Sequence, residues 1–355
     1  MSRSGLGLLS SPLADLRMDA PSYLNLPNDH YAHADAPFER WRHVGTLRCG
    51  ARRFGVEVVA ARVHGSGRPA LLMASIAVTD VAAARLYQHT SWRNWTPGWA
   101  ESDPGQPWTM AIGAAGEDGA LALRASRHDP LDMSIEAGFV DAATGKPLRL
   151  KLRLSQQRAP MLAGGGARAD RPDATDATDG ASREPSHAYA LTDLRSAGTL
   201  QVGTELLSVS GLTWMEHEYG APPPDGPWLR QHMQLSNGIR IVNEYRLAGV
   251  PVANRPAPSR ATVLWPDGNT SFEAGKTTLR MPVWTSPATG IAYFPHVTVE
   301  IARLQAKVEV MSLIAAQELL ATDGRGAVYQ GVANAEGVFE GGASSGTAWN
   351  EQGLV

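Results

Sequence analysis

Short apolar–polar alternations, broken by turn residues, run along most of this chain. Side chains that repeat every two residues line one face of an extended strand, and no helix can satisfy that period. Arg52 to Val63 is one such stretch, with Phe54, Val56 and Val58 on one face. Leu71 to Val78 is a continuous apolar run, the pattern of a strand buried on both sides. Trp228 to Leu235 and Ile239 to Leu247 flank Ser236-Asn237-Gly238, where Asn-Gly supplies the positive φ that a tight hairpin needs. Helical spacing is weak; Met311 to Leu320 is the best short candidate, and one helical stretch is expected there. With 36 Gly and 24 Pro for the turns, the chain reads as all-β.

At 355 residues the chain is long enough for two domains with substantial cores. The formal net charge of -3 offers no basic excess to neutralise a phosphate backbone, so no nucleic-acid partner is expected. No segment approaches the ~18 apolar residues of a membrane span. Residues 1–27 read as an N-terminal extension without the basic and long apolar regions of a signal peptide, and a cytoplasmic location is expected. Cys49 stands alone, so no disulfide forms within the chain. Ala163 to Ser186 is Gly, Asp, Ala, Thr and Pro with almost nothing to bury, and a flexible loop is expected over 163–186. Gly164-Gly165-Gly166 lacks the Gly-Lys-Ser/Thr that a phosphate loop requires. The expected division is therefore 28–195 and 196–355.

Chemistry-bearing residues concentrate in Trp214-Met215-Glu216-His217-Glu218-Tyr219-Gly220. On a strand, Trp214, Glu216 and Glu218 share one face and Met215, His217 and Tyr219 the other. Two carboxylates on one buried face would raise each other's pKa and leave a general acid protonated near neutrality; on a solvated face they would be ordinary surface groups. No His-Glu-x-x-His or paired-Cys spacing occurs. His30 and His33 stand at i, i+3, but Pro27 and Pro37 flank them and speak against a helix, so no metal site is expected. No Gly-x-Ser-x-Gly elbow is present, and Cys49 has no identifiable partner. His187 and Tyr189, at i and i+2, share a face if extended. Trp92, Trp95, Trp99 and Trp108 lie in a Pro/Gly context and suit the closure of a barrel end or the lining of an apolar pocket.

Several segments together resemble the AttH/carotenoid 1,2-hydratase-like superfamily. Phe38-Glu39-Arg40-Trp41-Arg42-His43-Val44-Gly45, followed by Arg52-Arg53-Phe54-Gly55, is similar to its "EWWY…G…G+xFG" opening. Ile76-Ala77-Val78-Thr79-Asp80 resembles its "AxTD" strand, and Gly211 to Gly220 its "GxxWMDHEWG" signature, the most specific match. Tyr329-Gln330-Gly331 and Gly346 to Glu351 are weaker likenesses of its closing motifs. The resemblance implies two tandem lipocalin-like antiparallel β-barrels, an apolar pocket, and catalysis without an organic cofactor or metal. It places the catalytic pairs on His187 with Tyr189 and on Trp214 with Glu216; Trp41, Glu218, His232, Trp92 and Trp95 become candidate substrate-binding residues. Glu216 stands where the motif has Asp, Arg40 and Arg42 replace an aromatic pair, and Ser75 stands where His is frequent. These departures imply a substrate other than a carotenoid.

The resulting expectation is a cofactor-independent hydratase, cyclase or isomerase acting on a lipophilic terpenoid or polyketide alkene. Glu216 would donate the proton, His187 would position water, and Trp214 and Tyr189 would face the developing cation. A pericyclase working by substrate preorganisation and a non-catalytic carrier are the alternatives, because this fold serves several functions.

Overall fold

The computed structural model describes residues 24–354, apart from 25, 27, 34, 65–69, 96–99, 102–107, 127–128, 130, 163–185, 222–225, 248, 250 and 321–325. The loop expected over 163–186 therefore lies, except for Ser186, outside the described residues, as do Trp99 and nearly all of the N-terminal extension.

The first half of the chain runs through β1 (Phe38–Cys49), β2 (Arg52–Val63), β3 (Leu71–Asp80), β4 (Arg85–Asn94) and β5 (Ala100–Glu101). It continues with β6 (Thr109–Ile112), β7 (Ala120–Ala125), β8 (Asp132–Val140), β9 (Pro147–Gln156) and β10 (Met161–Leu162). Two long strands follow, β11 (Ser186–Val202) and β12 (Glu205–Gly220). The second half holds β13 (Trp228–Leu235), β14 (Arg240–Arg246), β15 (Pro256–Leu264), β16 (Thr270–Arg280), β17 (Trp284–Thr285) and β18 (Ala292–Tyr293). It ends with β19 (His296–Ile301), β20 (Ala306–Ser312), β21 (Glu318–Leu320), β22 (Ala327–Phe339) and β23 (Gly342–Gly353).

These strands make two main antiparallel sheets, and the all-β expectation holds. The first, in the order β4-β3-β2-β1-β12-β11-β9-β8-β7-β6-β5, curls into a half-barrel. The second, β20-β19-β16-β15-β14-β13-β23-β22-β21, closes into an eight-stranded barrel because β20 also pairs with β22. The architecture is that of two lipocalin-like units. The change of sheet comes after Gly220; the expected division at 195/196 falls inside β11, which pairs along its length with β12.

Sequence patterning explains which face goes where. In β9 burial alternates strictly: Leu148, Leu150, Leu152 and Leu154 face the core of the curled sheet, while Arg149, Lys151 and Arg153 face solvent. β1, β2 and β3 are buried on nearly every residue, since one face lines the lumen of the curled sheet and the other packs on the closed barrel. The second contact layer includes Val44, Trp214, Val242, Leu264, Val332 and Trp349. The continuous apolar run over Leu71 to Val78 has this origin. Met311 to Leu320 is not helical: Met311 and Ser312 end β20 opposite Asn334 and Ala333, and the chain then turns into β21, so barrel pairing overrides the local spacing.

Polar ties join the two units. Beside the β11 bulge between Leu191 and Leu194, both oxygens of Asp193 accept from one guanidinium nitrogen of Arg240 in β14, and Arg158 forms an ion pair with the same carboxylate. At the rim, the Gln88 amide of β4 donates to the Glu318 carbonyl at 3.0 Å and accepts from the Leu320 N–H at 2.8 Å. Where β12 crosses β1, Gly211 permits close backbone approach, since a Cβ there would stand 2.0 Å from the Thr46 carbonyl oxygen. Gly211→Ala is expected to destabilise the protein by about 1–3 kcal/mol, and Gly249→Ala, with nothing within 4 Å of the added Cβ, by under about 0.5 kcal/mol. Urea denaturation of the two variants checks this.

Candidate functional site

Register determines what each strand presents. Trp41 of β1 lies opposite His217 of β12, which lies opposite Tyr189 of β11; His187 lies opposite Tyr219. Directly paired residues share a face, so Glu39, Trp41, His43, His187, Tyr189, His217 and Tyr219 all look into the lumen of the curled sheet. Trp214, Glu216 and Glu218 look the other way, towards the closed barrel. The four residues expected to act together are thus split between opposite faces of the sheet.

In the lumen, Glu39 is fully buried and ringed by donors. It accepts from the His33 backbone N–H at 3.0 Å, from His33 Nδ1 at 2.8 Å, from His217 Nε2 at 3.0 Å and from Arg62 at 3.3 Å. Burial by itself would raise this carboxyl; hydrogen bonds from His217 and His33 outweigh it and hold the group down at about 2. His217 Nδ1 faces the Asp29 carbonyl at 2.9 Å, so both ring nitrogens meet acceptors and the ring is positioned to donate twice. Burial lowers its pKa while the hydrogen bond and charge of Glu39 oppose the shift. Trp41 stacks on His217 at 4.5 Å between centroids, and Tyr189 meets its edge at 5.4 Å.

Alongside, the Tyr189 hydroxyl makes a short hydrogen bond with His30 Nδ1, while His30 Nε2 lies 3.3 Å from Met133 Sδ. Burial, with the charges of Asp29 and Glu39, raises Tyr189 well above the usual phenol value; burial lowers His30 to about 3. The phenol proton therefore stays on Tyr189 and is donated to a neutral imidazole. His33 stacks on Tyr219 at 3.5 Å and His187 packs on the same ring at 5.0 Å. These three rings are only partly buried and form the outer rim of the cluster. His33, Glu39 and His217 also bring three ligand-type atoms within 4.8 Å of one another, and of the described residues these are the group able to hold a metal ion. The expectation of no metal site had set His33 aside for its sequence context alone.

The outer face is a buried charge network. Arg42 donates to Glu57 at 2.7 Å, to Glu351 at 2.7 Å, to Gln330 at 2.8 Å and to Glu216 at 3.2 Å. Arg230 lies 3.4 Å from Glu216, and Arg40 donates to Glu218 at 2.7 Å. His232 stacks on Trp214 and stands between Glu216 at 3.0 Å and Glu351 at 3.2 Å, within ion-pair reach of both though aligned for a hydrogen bond with neither. Burial pushes Glu216 up, but His232, Arg230 and Arg42 more than reverse that and hold it well below the usual carboxylate range. The expected neutral Glu216 acid is corrected on this point: it is an anion fixed between cations. Burial raises Glu57 instead, and its Oε2 has no partner among the described residues.

Trp41, one of the candidate substrate-binding residues, lines the lumen, whereas Glu218 and His232 belong to the charge network. Trp92 and Trp95 are each 42% exposed. Trp92 follows Arg40, Ala61 and Met73 across the outer face of the sheet, so it cannot line the lumen. The cavity beside Trp214 and His232 measures only about 10 Å³, and an open groove of about 860 Å³ bounded by Arg153, Arg195 and Arg240 touches none of the candidates. Glu39, His30, His43 and His217 were not among the candidates. The visible sign was alternation: Glu39 and Trp41, like His217 and Tyr219, recur at i, i+2.

Comparison with known proteins places this geometry. The AttH-like family model matches residues 17–349. A putative AttH from Nitrosomonas europaea has a similar structure, with a TM-score of 0.73 and 18% identity over 93% of this chain and 96% of that one. Kievitone hydratase from Nectria haematococca is also similar, with a TM-score of 0.68 and 13% identity over 93% of each chain. No curated protein matches significantly.

Two outcomes follow from the electrostatics. His30 and His43 take up a proton near 6.5 when unfolded but only near 3 when folded, so acid favours the unfolded chain. Stability is expected to be intact above about pH 6.5 and to fall towards pH 3, with a slope of up to about 1.4 kcal/mol per pH unit for each ring. Urea midpoints from pH 7 to pH 4 measure it. Arg42→Met, which strands three carboxylates, should cost at least about 3 kcal/mol by the same assay.

Proposed function

The chain belongs to the AttH-like family, and from that premise we propose that it is a hydratase-type enzyme for a lipophilic alkene, with proton transfer in the lumen of the curled sheet. The observation that carries this reading is the buried hydrogen bond between His217 and Glu39, set among the rings of Trp41, Trp108 and Tyr189. Kievitone hydratase, a structural neighbour, bears the same type of activity in its name.

In the proposed reaction the His217 Nε2 proton passes to one alkene carbon, and the π electrons form the new C–H bond. Positive charge then develops on the neighbouring carbon, where aromatic faces stabilise it. Water adds its oxygen there and returns a proton to His217, so the elements of water are gained and the protein is regenerated. Glu39 stays ionised throughout. Its part is to favour the imidazolium in a buried place where the charge alone would be disfavoured. Tyr189, with its proton donated to His30, serves as an oriented wall and not as an acid. No step calls on a metal or an organic cofactor.

His217→Asn and Glu39→Gln should each lower turnover by about a hundredfold or more, read as incorporation of heavy oxygen from labelled water across a panel of terpenoid and polyketide alkenes. Glu216→Gln, in the charge network, should retain turnover within about tenfold in the same assay. A cyclised product that carries no label and forms equally well in His217→Asn would favour the preorganised cyclisation. Binding by the wild type without turnover of any panel member would favour the carrier. Loss of activity on exhaustive chelation would instead assign His33, Glu39 and His217 to a metal.

A further inference from the structure

His43 projects from β1 into the lumen between Trp41 and Gly45 along the strand. Across the sheet it faces Val58 and Met215, and one strand further Ile76 and Leu191, all apolar and buried. The ring is 3% exposed, and neither Nδ1 nor Nε2 has a hydrogen-bond partner among the described residues. That sets it apart from its neighbours, since His30 and His217 each have contacts on both nitrogens. Trp108, which packs on His30 and Trp41 in the same lumen, likewise buries an Nε1–H without a partner among the described residues.

Buried polar groups in folded proteins are nearly always hydrogen-bonded, and an aromatic or aliphatic side chain would fill this position at lower cost. An unsatisfied group kept among buried apolar side chains is a mark of function, because stability is given up there for binding. Among apolar neighbours the His43 ring is neutral and offers one N–H donor and one acceptor nitrogen. Trp108 offers a donor only. The chemistry common to both is an uncharged oxygen that accepts a hydrogen bond: a carbonyl accepts from either ring, and a hydroxyl can also donate back to His43.

We infer that the lumen takes a lipophilic ligand bearing a neutral carbonyl or hydroxyl oxygen, and that His43 is the residue that holds this oxygen. The inference deepens the proposed function and rests on its identification of the lumen as the ligand chamber. His43 is accordingly a specificity residue. It takes no part in the proton transfer at His217.

Displacement of the fluorophore N-phenyl-1-naphthylamine by 2-decanone and by decane, which differ by one carbonyl, tests it in the full-length protein. Wild type, His43→Phe and His43→Leu are compared, so that a packing defect in one variant does not stand alone. In both variants the ketone should bind about tenfold more weakly, while decane changes by less than about threefold. The melting temperature of at least one variant should equal or exceed that of the wild type, because an unsatisfied polar group has been removed. Equal effects on the two ligands, an unchanged ketone affinity, or lower melting temperatures in both variants would overturn the role of His43 and leave the lumen reading in place. Failure of both ligands to displace the fluorophore from the wild type would overturn the lumen reading as well.

Discussion

Burial of β12 on both faces is the constraint around which the molecule is arranged. A strand repeats every two residues, so a segment with packed surroundings on each side must carry two unrelated patterns at once. The odd positions Met215, His217 and Tyr219 serve the lumen; the even positions Trp214, Glu216 and Glu218 serve the junction with the closed barrel. A substitution at one position is therefore felt in one environment, while a one-residue shift in pairing would exchange the two completely. The close crossing at Gly211 and the bulge in β11 help to fix that register.

Both environments are polar and buried, but they solve the problem differently. At the junction, Arg42 satisfies its guanidinium with three carboxylates and one amide. Such a network is demanding in geometry and orients the two sheets more than it stabilises them. In the lumen a single carboxylate, Glu39, is held by two imidazoles, a guanidinium and a backbone N–H. The first environment fixes ions in place. The second pairs a carboxylate with imidazoles, whose ordinary pKa lies near neutrality, which is why the chemistry is proposed there.

Much of the strand framework was legible in the sequence. Arg52 to Val63 is β2 to the residue, and the Asn237-Gly238 hairpin joins β13 and β14 with Gly238 at φ +87°. The apolar run of β3 correctly announced burial on both sides. Face assignment was harder, because alternation says that Glu216 and Glu218 share a side but not which side. That depends on the pairing of β1 and β11 with β12, which is fixed by contacts far apart in sequence. A clue was nevertheless present: Arg40 and Arg42 at i, i+2 match Glu216 and Glu218 at i, i+2, and they are direct partners across the strands. His30 and His33 were unreadable for another reason, since they lie in a non-repeating segment whose placement is dictated by the lumen it covers.

The Gln88 contact has a consequence for behaviour in concentrated solution. A curled sheet, unlike a closed barrel, has edges, and an unpaired edge invites strand addition by another chain. In β4 a primary amide, with the same donor and acceptor as a peptide group, engages the backbone of β21 on both sides. Two edges, one from each unit, are thereby placed against each other, and a single side chain makes the junction that a further strand would otherwise supply. The fold can keep a curled, unclosed sheet in one half without offering that rim as a template for self-association.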